Sequence, residues 1–331
     1  MASVESITRD FNESVKKLVD IYNLRLSNIK KSRINIRVKN VQINELTRIF
    51  NVSITSLRAK FARDLKMFNS NQAIQTAFLL YSSKNALLIG INYDGQLAGC
   101  INDINNVCDL LISNQGFNPL NIHKISDDMF IKPTRAVILS LFTEFIQNAK
   151  NDEMLFFAFS GHGSYTIDLN GDEIDGRDEL IVASDFKRIT DDELSDIIRS
   201  KLNTSTVFFA LFDSCFSGTV LDLKYHYFNS SNNNELTIEN DVVETSGTII
   251  MISGCSDTQT SADAYIDKTN QGAMTWSFIQ SIKTAPNKDT FTWSELILSM
   301  RKLLSGGKFT QLPQLSSNRF IDVNKPVFKR Q

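Results

Sequence analysis

Four runs of apolar residues in the second part of the chain have the pattern of buried β-strands. They are NALLIGINY at 85–93, MLFFAFSGHG at 154–163, TVFFALFDSC at 206–215 and TIIMISGCS at 248–256. Continuous apolar runs, without the alternation of half-exposed strands, are typical of strands that are covered on both faces, as in parallel sheets. They therefore predict the centre of one mostly parallel sheet.

The segments between these runs show helical spacing of apolar residues or helix-start signals, apart from a weak strand at 122–125. The predicted helices cover residues 101–113, 133–149, 191–202, 274–283 and 293–304. The alternation of strands and helices predicts an α/β fold: a sandwich with a central mostly parallel sheet and flanking helices.

The first part of the chain has a different texture. Apolar residues recur there at intervals of three and four, at Ile43, Leu46 and Phe50 and again at Leu57, Phe61 and Leu65. This spacing predicts a mostly helical N-terminal region over residues 1–83, followed by a main domain over 84–331. An Asn-rich stretch at 229–235 predicts a surface loop within a linker at 224–246, which would separate residues 84–223 from 247–331.

Composition fits an ordinary soluble globular protein, with 331 residues, 42 % hydrophobic residues and a formal net charge of −2. The charge is unevenly distributed, since residues 1–66 carry a net +8 and residues 67–331 a net −10. An acidic main domain favours cationic substrates. The basic part could be a solvated helix surface, or could contact nucleic acid, a membrane surface or the acidic domain. Because it lacks interleaved aromatic residues and any recognisable motif, we expect neither a nucleic-acid nor a membrane partner.

The chain has no apolar run of about 18 residues, and its N-terminus lacks the apolar core of a secretory signal. We therefore expect a cytoplasmic or nuclear location. There is no CxxC pair that would suggest zinc, and reduced thiols are expected. The candidates for cysteine and histidine chemistry are Cys100, Cys108, Cys215, Cys255, His123, His162 and His226.

Two of these candidates follow predicted parallel strands, where loops converge on a crevice. His162 lies in SGHG at 160–163, and Cys215 lies in DSC at 213–215. A thiol attacks as thiolate, so it needs a nearby imidazole that lowers its pKa and later protonates the leaving amine. The separation of 53 positions is close to that of caspases but does not by itself exclude structural roles for both residues.

Carboxylates are concentrated between positions 168 and 193. Such a cluster is either a solvated acidic surface or a site for calcium, a hard cation that takes six to eight oxygen ligands. The segment DLNGDEIDGRDEL at 168–180 lacks the full EF-hand pattern, so the residues alone leave both interpretations open. The cluster comprises Asp168, Asp172, Glu173, Asp175, Asp178, Glu179, Asp191, Asp192 and Glu193.

Taken together, the motifs of residues 85–323 resemble those of metacaspases of type I. The motifs are NALLIGINY, GCIND at 99–103, SGHG, DLNGDEIDGRDEL, TDDEL at 190–194, DSCFSG at 213–218, ISGCSDTQTSADA at 252–264, GAMTWSFIQSI at 272–282 and QLPQLSS at 311–317. The resemblance implies a caspase-like fold and a calcium-activated cysteine endopeptidase that cleaves after Arg or Lys. Its partners would be proteins or peptides with exposed Arg or Lys, and we expect a monomer.

The resemblance also implies roles for individual residues. Cys215 would be the nucleophile, His162 its proton-transfer partner, and Gly163 part of the oxyanion site. The pocket for the basic residue would consist of Cys100, Asp103, Ser160 and Asp213. The calcium ligands would be Asp178, Asp191, Asp192 and Asp222, with Asp172 and Asp175 as substitutes. Phe216 departs from the histidine that is common in the family after the cysteine.

The short segment after Leu223 matches the type I group. Lys224 is the only Lys or Arg between it and Lys268, so obligatory self-cleavage in this segment is not expected, although Lys224 itself is a candidate. We expect residues 1–83 to act as a prodomain that folds against the acidic domain and restricts the cleft. The alternative to an enzyme is a non-catalytic scaffold that keeps the fold for binding.

Overall fold

The computed structural model divides the chain into two compact units, Met1–Leu79 and Leu80–Gln331, which are described separately. The residues it describes are 4–32, 34–43, 46, 54, 57, 83–167, 177–215, 220–228, 236–239, 246–254, 263–266, 269–307 and 309–328.

The first unit contains a long amphipathic helix, α1 (Val4–Lys31), and residues 36–43 are also helical. Tyr22 and Leu26 of α1 pack with Leu46 in a small apolar cluster. The predicted helical positions Phe50, Phe61 and Leu65 lie outside the described residues. Among the helices that the structure describes, none is both long and apolar enough to cross a membrane.

The second unit alternates strands and helices. In chain order, the elements are β1 (Ser83–Gly90), α2 (Cys100–Gln115), β2 (Ile122–Ser126), α3 (Arg135–Gln147), β3 (Glu153–Ser160), β4 (Gly163–Ile167), β5 (Arg177–Val182), β6 (Arg188–Thr190), α4 (Asp191–Lys201), β7 (Val207–Asp213), β8 (Tyr225–Tyr227), β9 (Leu236–Ile238), β10 (Thr248–Ser253), β11 (Asp263–Ile266), β12 (Thr269–Gly272), α5 (Ala273–Thr284), α6 (Trp293–Gly306) and β13 (Gln314–Ser317).

Eight of these strands form the central sheet, in the order β2-β1-β3-β7-β10-β13-β8-β9. The strands from β2 to β10 are parallel, and the last three pair antiparallel. Every residue of β3 and of β7 is buried, as expected for strands covered on both faces.

The two faces of the sheet pack against different helices. Ala86 and Leu88 of β1 belong to a core with the apolar residues of α2, α5 and α6. Leu87 and Ile89, which point to the opposite face, belong to a second core with α3 and α4. The predicted α/β sandwich with flanking helices is confirmed.

The sequence pattern did not reveal several short strands. β4, β5 and β6 form a three-stranded sheet, and β11 pairs with β12. β8 and β9 lie inside the segment 224–246 that was predicted as a loop, and they extend the central sheet. Three of these strands, β6, β8 and β9, have only three residues, too few to show an alternating pattern. The Asn-rich stretch 229–235 between them lies outside the described residues.

Candidate active site

The three strands β1, β3 and β7 end at the same level of the sheet. Gly90 pairs with Ser160, and Ser160 pairs with Asp213. The segments that follow, which carry His162 and Cys215, therefore leave the sheet at one edge, as the sequence predicted.

The backbone of His162 is held on both sides. Its carbonyl oxygen accepts a hydrogen bond from the amide of Val182 at 3.0 Å. Its own amide donates to the hydroxyl of Tyr93 at 2.8 Å, and that hydroxyl donates to the Val182 carbonyl at 2.6 Å. The strand end and Tyr93 together fix where the histidine sits.

The imidazole of His162 lies against the ring of Tyr93, with ring centroids 4.4 Å apart. Burial lowers the pKa of His162, because desolvation penalises the imidazolium form. An imidazole in this environment is neutral at neutral pH and can accept a proton from a nearby thiol.

Gly163 brings the histidine segment against the cysteine segment. A β-carbon at this position would lie 2.0 Å from the carbonyl oxygen of Cys215 and 3.1 Å from the β-carbon of Ser214. Only a glycine allows so close an approach. Cys215 is partly exposed, and Ser214 is buried. The structure thus brings His162, Gly163 and Cys215 together at the strand ends.

Two buried aspartates lie at the same edge. Asp103, in the first turn of α2, is 1 % exposed, and Asp213, at the end of β7, is 5 % exposed. Asp103 accepts hydrogen bonds from the Ser160 hydroxyl at 2.7 Å and from the amide of Gly272 at 2.9 Å. Asp213 accepts one from the amide of Thr275, in the first turn of α5, at 2.8 Å.

Gly272 connects the two carboxylates. A β-carbon there would lie 2.1 Å from Oδ2 of Asp213 and 2.8 Å from Oδ2 of Asp103. The two carboxylates therefore face the same glycine from different elements, and together they form an acidic site with Ser160. Cys100, at the start of α2, is also buried. The backbone carbonyl of Cys100 packs against Gly90. A β-carbon on Gly90 would lie 2.5 Å from the oxygen of that carbonyl.

The acidic cluster predicted from the sequence divides into two parts. Asp178, Asp191 and Asp192 each offer a carboxylate oxygen, and these atoms lie within 4.8 Å of one another. Asp191 accepts hydrogen bonds from the amides of Glu179 at 2.6 Å and Asp192 at 2.8 Å. Burial, and next the charge of Asp222, raise the pKa of Asp191 to about 8.

Glu193 belongs to the helix start and not to this group. It forms a capping box with Thr190 and an ion pair with Arg135, so it stabilises the N-terminus of α4. Asp222 contacts Arg199 at 3.4 Å. The other predicted residues, Asp168, Asp172, Glu173, Asp175, Phe216 and Cys255, lie outside the described part of the chain.

Of the remaining candidates, Cys108 lies on the buried face of α2 and belongs to the core on that side of the sheet. His226 in β8 is buried, and its ring lies 3.0 Å from Glu239 and 3.1 Å from the Ser316 hydroxyl. These two contacts explain its place in the protein interior. Among the described residues, Cys100, Cys108 and Cys215 are not joined in disulfides.

Tyr93, Gly272 and Thr275 are functional candidates that sequence reasoning missed. Tyr93 and Gly272 lie within two quoted motifs, NALLIGINY and GAMTWSFIQSI, but neither residue type carries an obvious chemical signal. In the sequence, a tyrosine at the end of an apolar run cannot be distinguished from a core residue. A glycine before a helix likewise cannot be distinguished from an ordinary helix start.

Comparison with known proteins agrees with the fold. A crystal structure of a Geobacter sulfurreducens protein matches with a TM-score of 0.53 and 20 % sequence identity, covering 74 % of this chain and 98 % of the other. The large mostly parallel sheet, flanked by helices on both faces, fits a caspase-like fold.

Sequence comparison then gives the family. The family model described as metacaspase, peptidase C14 domain, matches residues 84–224. Metacaspase-1 of Saccharomyces cerevisiae is 36 % identical over 296 residues, covering 73 % of this chain and 68 % of that protein. Metacaspase-1B of Aspergillus fumigatus is 34 % identical over 293 residues, covering 73 % and 71 %. The chain belongs to the metacaspase family and is a cysteine-type peptidase that acts on protein substrates.

Proposed function

We propose that this peptidase is a calcium-dependent endopeptidase that cleaves after Arg or Lys, with Cys215 as nucleophile and His162 as general base and acid. The observation that carries the proposal is the pair of buried aspartates, Asp103 and Asp213, around Gly272. Asp213 is two residues from Cys215, so a cation held by this pair would place the following peptide bond near the thiol.

The chemistry begins with transfer of the Cys215 proton to His162. The thiolate attacks the carbonyl carbon, and the tetrahedral intermediate collapses to a thioester as the amine leaves with the proton from the imidazolium. Water, deprotonated by the same imidazole, then hydrolyses the thioester and regenerates the thiol. Backbone amides near Gly163 and Cys215 would stabilise the oxyanion, since this pair of segments is in direct contact.

The preference for a basic residue follows from the cost of desolvation. A guanidinium or ammonium group loses its hydration when it enters a buried site, and only negative charge can offset that loss. Two carboxylates supply it, and an acidic substrate side chain would be repelled. The overall negative charge of residues 67–331 acts in the same direction.

Calcium fits the group formed by Asp178, Asp191 and Asp192, because its donors are all hard carboxylate oxygens. The raised pKa of Asp191 reflects burial beside like charge, which a bound cation would relieve. Asp222 is a fourth candidate ligand, since its charge acts on Asp191. A bound ion would supply positive charge to carboxylates on three parts of the chain and would connect them: β5, the start of α4 and the segment after Cys215.

The test is hydrolysis of short fluorogenic peptides that end in Arg, Lys or Asp, each with calcium and with a chelator. We expect calcium-stimulated release after Arg and Lys, and none from Cys215→Ala or His162→Ala. Cleavage after Asp would reject the acidic pocket but keep the dyad, whereas full activity of Cys215→Ala would reject the dyad. The cytoplasmic or nuclear location, the monomeric state and the role of residues 1–83 stay predictions from the sequence.

A further inference from the structure

Tyr93 has a place in the fold that the proposed chemistry does not use. It follows β1 in a short turn in which both Tyr93 and Asp94 have positive φ angles, 51° and 54°. Residues other than glycine rarely adopt this conformation. The Tyr93 side chain is 2 % exposed, so it is directed into the protein and not toward solvent.

The hydroxyl of Tyr93 replaces a hydrogen bond of the β4–β5 ladder. Gly163 pairs with Ile181, so the next pair would be His162 with Val182. One of the two bonds of that pair is direct, from the Val182 amide to the His162 carbonyl at 3.0 Å. The other passes through the tyrosine: the His162 amide donates to the hydroxyl at 2.8 Å, and the hydroxyl donates to the Val182 carbonyl at 2.6 Å.

In a regular antiparallel pair, the His162 amide would bond directly to the Val182 carbonyl. The inserted hydroxyl therefore holds the backbone of His162 farther from Val182 than direct pairing would. Gly161 makes the insertion sterically possible, because a β-carbon there would lie 2.7 Å from the Tyr93 hydroxyl. The tyrosine ring covers the imidazole, with centroids 4.4 Å apart. One side chain thus contacts both the backbone and the ring of the histidine.

The turn that carries Tyr93 is itself anchored. The two carboxylate oxygens of Asp127, the residue after β2, accept hydrogen bonds from the amides of Asn92 at 2.9 Å and Asp94 at 3.4 Å. The side-chain oxygen of Asn92 accepts a bond from the amide of Ile101 in α2 at 3.3 Å. The position of Tyr93 is therefore defined by the sheet and by the helix that carries Asp103.

We propose that Tyr93 is a positioning residue for His162: its hydroxyl, inserted between His162 and Val182, sets the distance of the imidazole from the Cys215 segment. This inference rests on the proposed role of His162 as proton-transfer partner. It assigns no chemical step to Tyr93, whose phenol is buried and engaged in both hydrogen bonds. Burial also raises the pKa of Tyr93, so the hydroxyl keeps its proton.

The test compares Tyr93→Phe with a matched variant, Tyr227→Phe. The Tyr227 hydroxyl also accepts a backbone hydrogen bond, from the amide of Ile321 at 2.8 Å. Tyr227 is also buried, but two strands, β10 and β13, separate its strand from β7. Each variant thus loses one buried hydroxyl, and only the first loses it at the candidate active site.

Steady-state kinetics on an Arg-ended peptide should separate the two variants. For Tyr93→Phe we expect kcat to fall by about 10- to 100-fold with KM nearly unchanged, because a misplaced proton-transfer group affects the reaction more than binding. For Tyr227→Phe we expect kcat and KM close to those of the unmodified protein. Both variants are assayed well below their measured Tm values, so that a loss of folded protein does not lower the apparent kcat.

A second readout does not depend on activity. Amide hydrogen exchange at His162 should accelerate in Tyr93→Phe and stay unchanged in Tyr227→Phe, since only the first removes the acceptor of that amide. Equal kcat values for the two variants, or unchanged exchange at His162, would overturn the inference. Failure of the proposed function is recognised separately, because His162→Ala and Cys215→Ala would then keep their activity.

Discussion

Replacing Gly272 by alanine tests the acidic pocket by steric means while all of its charges remain. The added β-carbon would lie 2.1 Å from Oδ2 of Asp213 and 2.8 Å from Oδ2 of Asp103, whereas real β-carbons essentially never approach an atom within 3.0 Å. The Asp213 carboxylate must therefore move by about 1 Å, and its hydrogen bond to the Thr275 amide must lengthen or break.

A displacement of about 1 Å in a substrate-positioning group can cost roughly 10²-fold in rate. We expect kcat/KM for Arg- and Lys-ended peptides to fall by about that factor. The loss should appear mainly in KM, because the cation is bound less well while His162 and Cys215 are not displaced. The energetic equivalent is about 2.7 kcal/mol.

The assay is steady-state hydrolysis of Arg-ended and Lys-ended fluorogenic peptides with calcium present. Gly306→Ala is the matched control, because it makes the same chemical change in α6, where a β-carbon would meet nothing within 4 Å. Circular dichroism and Tm show whether each variant is folded. A folded Gly272→Ala protein with unchanged kcat/KM would refute the assignment of this glycine and the two aspartates to the pocket.

Three further predictions follow from the site. Asp103→Asn and Asp213→Asn should each lower kcat/KM for Arg and Lys peptides by at least about 10²-fold, since a charge pair at about 4 Å is worth roughly 4 kcal/mol in a protein site. A variant that cleaves these peptides with the kcat/KM of the unmodified protein would contradict the electrostatic selection. Because burial lowers the pKa of His162 from the ordinary imidazole value of 6.5, the acid limb of kcat/KM should have its midpoint below that value; a midpoint above it would contradict the burial of the ring. Chelation should abolish activity reversibly, and Asp191→Asn should raise the calcium concentration for half-maximal activity by at least about 10-fold; activity that is insensitive to both changes would remove the metal site.

The strand-end location of the candidate catalytic pair was predictable because it depends on a general property of parallel sheets. Apolar runs marked β3 and β7 as buried strands, and the polar residues after them had to emerge at one edge. The pairing of Ser160 with Asp213, at the ends of β3 and β7, confirms that prediction. The motifs that resemble metacaspases then added the acidic residues around it.

The contacts that complete the site were not predictable, because they join distant parts of the chain through backbone atoms. Asp103 binds the amide of Gly272, 169 positions away, and Tyr93 binds the carbonyl of Val182, 89 positions away. A backbone amide carries no residue-specific signal, and glycine has no side chain that periodicity could assign to a face. The short strands β8 and β9 were missed for a related reason: β8 is held by antiparallel pairing with β13, and β9 by antiparallel pairing with β8, rather than by a pattern of their own.

The central claim is that Cys215 is the nucleophile of a site that selects a basic residue. The most direct measurement is covalent labelling with a peptidyl chloromethyl ketone that ends in Arg, followed by peptide mapping with mass spectrometry. We expect calcium-stimulated labelling at Cys215, strongly reduced in His162→Ala and in Asp213→Asn, and little labelling by the matching reagent that ends in Asp. Labelling of Cys100 or Cys108 in place of Cys215, or equal labelling by the Arg and Asp reagents, would contradict the claim.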